Sequence, residues 1–188
     1  GETIVAVVGA GHVAGITACY ATDNRAELSR ITRIPPVSSG WKIAGWMIPL
    51  IICSSIGIIA YQQGAGVATQ NITYWILANG IPAAIGAALA LAHPLTTIGA
   101  FAAAPLTSLT PVIGAGYVTA FIQVMARPPV VHEFEQAGED MSSVTGWWRN
   151  KLLRVFLVFL LTGFGSMIGT YVGGYEIIKT LFSGPTLS

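Results

Sequence analysis

Between Lys42 and Arg127 the chain carries no Asp, Glu, Lys or Arg, and a second such gap runs from Val155 to Tyr175. Nothing else in the sequence restricts the fold as strongly. A charge at the centre of a bilayer-crossing helix costs about 2.5–3.5 kcal/mol on the insertion scale. Crossing the hydrocarbon takes about 20 apolar residues. The gaps therefore predict an all-α polytopic membrane protein, integral and multi-pass, with the lipid bilayer as its main partner. Only 9% of the 188 residues are charged and 53% are hydrophobic, whereas soluble domains carry roughly 25% charged residues. A net charge of +1 supplies no concentrated basic face, so nucleic acid is not an expected partner.

Within the gaps, the hydropathy predicts spans at about 41–61, 72–92 and 152–175. Trp41, Trp46 and Tyr61 stand where interfacial aromatics belong, and Trp147-Trp148 reads as an anchor ahead of the last span. Residues 95–126 differ: Pro105 and Pro111 interrupt them, just after Pro94, and Thr96, Thr97, Thr107, Ser108 and Thr110 make them semi-polar. Such a stretch folds either as a re-entrant segment or as a hairpin of short helices, enclosed by the other spans so that its backbone is satisfied. Arg25, Arg30, Arg33 and Lys42 precede the first span, and Arg127, Arg149, Lys151 and Arg154 flank the 127–151 loop. The positive-inside rule puts the N-terminal segment and that loop in the cytoplasm. Gly165, Gly169 and Gly173 repeat at the spacing that lets helices approach closely. They serve either packing within the chain, the favoured reading, or assembly into a homo-oligomer.

Ahead of the spans, Thr3–Val8 is an apolar, β-branched run leading into Gly9-Ala10-Gly11-His12-Val13-Ala14, which fits the dinucleotide fingerprint G-x-G-x-x-G/A. That fingerprint needs a second parallel strand with an acidic residue about 20 positions on. Glu27 lies in a polar stretch followed by Ile34-Pro35-Pro36, so no nucleotide-binding residue is assigned. Residues 1–34 instead read as a small strand–turn–helix remnant of a soluble α/β domain, and 35–188 as the transmembrane domain. The abrupt start marks a fragment, a processed product or a subunit that needs a missing N-terminal domain or other subunits.

Few side chains bear chemistry. His93 is the only ionisable group of the Asp, Glu, Lys, Arg and His set between Lys42 and Arg127. With Asn79, Thr107 and Ser108 it defines an intramembrane polar site by the default reading of such residues. The alternative is a histidine that caps a helix end. His132 and Glu135 offer a ligand pair in a loop with Glu139 and Asp140, better read as a solvated surface. Asn71-Ile72-Thr73 matches a glycosylation sequon but abuts a span, so Asn71 is expected to cap that helix. Cys19 and Cys53 form no disulfide framework, and Cys53 is expected as a small buried hydrophobe.

Several blocks carry a resemblance. Val7-Val8-Gly9-Ala10-Gly11-His12, Tyr74–Gly80, Ala88–Thr96, Ala104–Leu109, Ile113–Gly116 and Trp148-Arg149-Asn150 are similar, in order, to the TraB/PrgY (pheromone shutdown) family. That family resembles the wider Tiki/EreA/ChaN-like superfamily, where two Gly-x-x-His motifs and acidic residues are proposed to form a metal-dependent hydrolytic site. Gly9-Ala10-Gly11-His12 is similar to the second motif, and the first has no counterpart in the chain. The resemblance implies that His12 is a divalent-metal ligand and catalytic residue in an intact protein only, because a catalytic metal needs about three protein ligands. It further implies a membrane part that anchors a peptide-processing or peptide-sequestering domain, with a peptide as substrate. A transport or channel-like module, or a structural subunit of a larger assembly, is the alternative.

Overall fold

A computed structural model describes residues 5–20, 27, 30–33 and 39–183. The chain divides into two units, 1–38 and 39–188, each described by itself. In the first, Val5–Val8 form no strand and Val5 and Val7 are exposed. The expected strand is therefore corrected to irregular chain where it can be seen; Thr3 and Ile4 lie outside the described residues. A strand exists by pairing, and no strand is present among the described residues to pair with it. The glycine turn does open a helix, α1 (Ala10–Cys19), whose first backbone bond runs from the His12 N–H to the Gly9 carbonyl at 2.9 Å.

The second unit is helical throughout. Its long members are α2 (Ser39–Gln63), α3 (Ala65–Leu89) and α9 (Lys151–Ser183), and these are the helices long and apolar enough to cross a membrane. Between α3 and α9 come α4 (Pro94–Thr107), α5 (Ala115–Ala126) and the short turns α6 (Val131–Glu135), α7 (Ala137–Asp140) and α8 (Gly146–Arg149). The Pro-rich stretch thus forms two short helices. α9 lies mainly along α3 and also touches α2 and α5, while α4 sits against α3 and α5.

The second span starts earlier than hydropathy predicts, because a single residue makes the reversal. Gly64 has φ +91°, a left-handed value that glycine adopts without strain, so α3 begins at Ala65. This corrects Asn71, which lies inside α3 and donates from Nδ2 to the Val67 carbonyl at 3.0 Å instead of capping the helix. Cys53 is corrected too: it is exposed on α2. An apolar run does not say which of its faces meets the neighbouring helices.

Packing is inverted relative to a water-soluble bundle. The fully buried positions include Ala83, Ala87, Ala100, Ala104, Asn79, Thr96, Thr119 and Thr162 beside a few larger ones, Ile59, Val158 and Ile177, whereas Leu50, Leu106, Phe121, Phe164 and Tyr171 face outward. Small residues inside let backbones meet. A methyl group added at Gly165, Gly169 or Gly173 would strike the Pro82 carbonyl, the Ala78 carbonyl or the Trp75 ring, and one at Gly86 would strike the Leu161 carbonyl. The glycine repeat is therefore used within the chain, along the α3–α9 seam.

Two prolines fit the same scheme. Pro82 has no N–H for the Ala78 carbonyl, and Pro105 has none for the Phe101 carbonyl. Gly169 and Gly80 on the neighbouring helices lie against those two carbonyls. The backbone oxygens freed by proline are thus covered by chain that carries no side chain.

Candidate functional site

Halfway along the seam the interior turns polar. Asn79, fully buried on α3, donates from Nδ2 to the Trp75 carbonyl at 3.0 Å. Its Oδ1 accepts from the Ser108 hydroxyl at 2.8 Å and from the Thr170 hydroxyl at 3.1 Å. Ser108 Oγ is also 2.9 Å from Ser166 Oγ, and the Trp75 indole donates to the Pro105 carbonyl at 3.0 Å. Two helices, α3 and α9, and the end of α4 are tied together at this level. Each polar group has a partner, as burial demands.

The structure thus brings Asn79 and Ser108 together and adds Ser166 and Thr170, which sequence reasoning missed. A serine and a threonine one helical turn apart on an apolar helix are the signal that could have found them. The other two expected members stand elsewhere. Thr107 bonds back to the Ala103 and Ala104 carbonyls at 2.9 and 3.2 Å. His93 begins α4, which Ser108 ends, and a 14-residue helix is about 21 Å long at 1.5 Å per residue.

His93 takes the capping role. Its Nδ1 accepts the Leu95 N–H at 3.2 Å, and Pro94 occupies the first helical position, where a missing N–H costs nothing. Its own N–H donates to Gln123 Oε1 at 2.9 Å, and the Thr96 hydroxyl reaches the same oxygen at 2.9 Å. Gln123, nearly fully buried on α5, therefore locks the start of α4 to its neighbour. The Thr162 hydroxyl is the one buried side-chain oxygen without a hydrogen-bond partner among the described residues.

At the same end of the bundle, Asn150 ties the 127–150 connection to α9. Its Oδ1 accepts the Leu152 and Leu153 N–H groups at 2.9 and 3.3 Å, as an N-cap does. Its Nδ2 donates to the Glu133 carbonyl at 2.8 Å and to Asp140 Oδ2 at 2.9 Å. Glu133 accepts from the Val130 N–H at 2.8 Å and the Lys151 N–H at 3.3 Å, and its carboxylate lies 3.7 Å from Lys151 Nζ. Glu133 is thus a structural brace; exposed His132 beside it joins no such contact. Trp148 donates to the Leu89 carbonyl at 2.8 Å and accepts from the Arg154 guanidinium.

His12 is exposed on α1, and no group of three His, Cys, Asp or Glu side chains that could hold a metal occurs among the described residues. One imidazole supplies one of about three ligands, so the described residues do not fit a catalytic metal, and no chemical step is derived through one.

A family model described as TraB family protein, C-terminal domain, matches residues 40–182. The chain belongs to the TraB family. An uncharacterized protein of Methanocaldococcus jannaschii is 29% identical over 179 residues, which cover 90% of this chain and 45% of that relative. The chain therefore spans just under half the length of that curated relative. No solved structure matches it. The TraB match takes in the Asn79 cluster, the Gln123 lock and the Asn150 clasp, and it leaves His12 outside.

Proposed function

We propose that this TraB-family domain is embedded in the membrane and anchors a peptide-processing or peptide-sequestering partner domain there. The observation that supports the reading is the distribution of side chains: many large apolar ones face outward along helices of membrane-crossing length, while alanine, glycine and polar groups, most of them hydrogen-bonded, make up much of the inside beside a few large residues such as Ile59 and Ile177. In water such a surface would be a severe association liability. In lipid it is the solvent-matched face. The α4–α5 hairpin then enters and leaves on one side, because its break at 108–114 follows Ser108, beside Asn79 at mid-α3. The N-terminal segment and the 127–151 loop face the cytoplasm on the positive-inside rule. The Asn79 cluster reads as internal glue, its donors and acceptors being paired with one another; a transport module would need such groups free for a passing solute.

Extraction of expressing membranes with alkaline carbonate tests the anchor. The chain stays in the pellet and dissolves only in detergent; release into the carbonate supernatant refutes it. For orientation, a Gly138→Cys variant on a background lacking Cys19 and Cys53 is labelled by an impermeant maleimide only after the cytoplasmic side is opened. Flux that disappears in Asn79→Ala, with the protein still membrane-bound, would favour transport.

A further inference from the structure

A groove of about 700 Å³ opens where α3 turns into α4, lined by Leu91, Pro94, Thr97, Ile98, Arg127 and Arg154 among others. Its lining is mainly apolar and includes two arginines, Arg127 and Arg154. Arg127 is exposed, and its guanidinium makes no hydrogen bond or ion pair among the described residues. Arg154 spends its Nε and one terminal nitrogen on the Trp148 carbonyl, which aims the rest of the fork. Of the five N–H donors of an arginine, three stay unused. Glu133, the acid near Arg154, is held by Lys151 and two backbone N–H groups. The Thr97 hydroxyl, also in the groove, has no partner among the described residues.

The backbone adds an independent sign. Leu91 has φ +52° and is the one non-glycine residue with positive φ among those described. Its N–H reaches the Ala88 carbonyl at 2.9 Å and that of Ala92 reaches Ala87 at 3.1 Å, the bonding of a Schellman turn. Glycine would hold that position without the strain that a side chain incurs there. Leucine instead places an exposed apolar side chain on the groove wall.

We propose that this groove binds an anionic phospholipid, its phosphate between Arg127, Arg154 and the Thr97 hydroxyl and an acyl chain along Leu91 and Ile98. The inference rests on the membrane reading above. Two arginines without a salt-bridge partner among the described residues, over an apolar wall, match a phosphate joined to hydrocarbon, and basic pockets between helices at the cytoplasmic face are where such headgroups gather.

The test is native mass spectrometry of the full chain, delipidated in detergent and offered phosphatidylglycerol and phosphatidylcholine in equal amounts. Phosphatidylglycerol is retained about fivefold more, as expected for one basic contact at a membrane surface. Arg127→Gln removes that preference, while Arg149→Gln, an exposed arginine outside the groove, keeps it. Leu91→Gly melts at a higher temperature yet retains less phosphatidylglycerol, so its loss is not one of folding. Equal retention of the two lipids overturns the proposal, as does an equal effect of the two arginine variants. Full displacement by inorganic phosphate, with Leu91→Gly silent, overturns it in favour of a small-anion site. A chain that resists carbonate but shows no lipid preference loses this site and keeps the anchor; a chain that carbonate releases loses the anchor itself.

Discussion

The α3–α9 seam and the Asn150 clasp both hold α9 in place, by opposite means. Along the seam the decisive atoms are missing ones: Gly165, Gly169 and Gly173 leave room for the Pro82 and Ala78 carbonyls and the Trp75 ring. At the clasp the decisive atoms are present and polar, Asn150 alone meeting the Glu133 carbonyl, Asp140 and two N–H groups of α9. In the lipid proposed for this bundle, hydrophobic association gives no advantage to one helix pairing over another, and close backbone contact must supply the specificity. Where the chain leaves regular helix, connections carry unpaired backbone groups, and side chains must satisfy them.

The largest effect should come from breaking the seam. Gly169→Val pushes a branched side chain into the Ala78 backbone, costing about 3 kcal/mol at the upper end of overpacking. Thermal unfolding in detergent should show the drop, while Gly163→Ala, with open space around its Cα, should leave the midpoint unchanged. A Gly169→Val chain as stable as the parent would mean that the seam is not close-packed. Removing the clasp comes next. Asn150→Ala loses a helix cap and two further bonds, about 2 kcal/mol in all, and should raise proteolysis within 127–150 before it affects the long helices. The smallest effect belongs to the ion pair. Lys151→Gln keeps its own backbone N–H and both Glu133 oxygens but drops the partly exposed pair with Glu133, so about 0.5 kcal/mol is expected, vanishing at high salt. A loss that salt leaves unchanged would move the brace from charge to hydrogen bonding.

Much of the fold was legible. The gaps in charge located α2, α3 and α9, and the prolines located the break between α4 and α5. Boundaries differ where one residue's backbone decides them: hydropathy carries no information on a reversal at Gly64 with φ +91°, so it starts α3 too late and makes a cap of Asn71. The strand expected at Thr3–Val8 failed among its described residues for a different reason, since a β-branched run becomes a strand only when another strand pairs with it. Of the polar residues singled out, Asn79 and Ser108 meet, Thr107 turns back on its own helix, and His93 follows its capping alternative.

What the sequence determined by itself is composition along the chain: where charge is absent, where glycine recurs, and hence which segments become long helices and which can approach closely. Only the tertiary structure decided partnership. Ser108, Ser166 and Thr170 reach Asn79 from distant parts of the chain, and Arg127 and Arg154 come to share one groove. Periodicity describes the face of one helix, whereas a hydrogen bond between helices depends on the rotation and depth of both, which the packing of glycine against carbonyl sets.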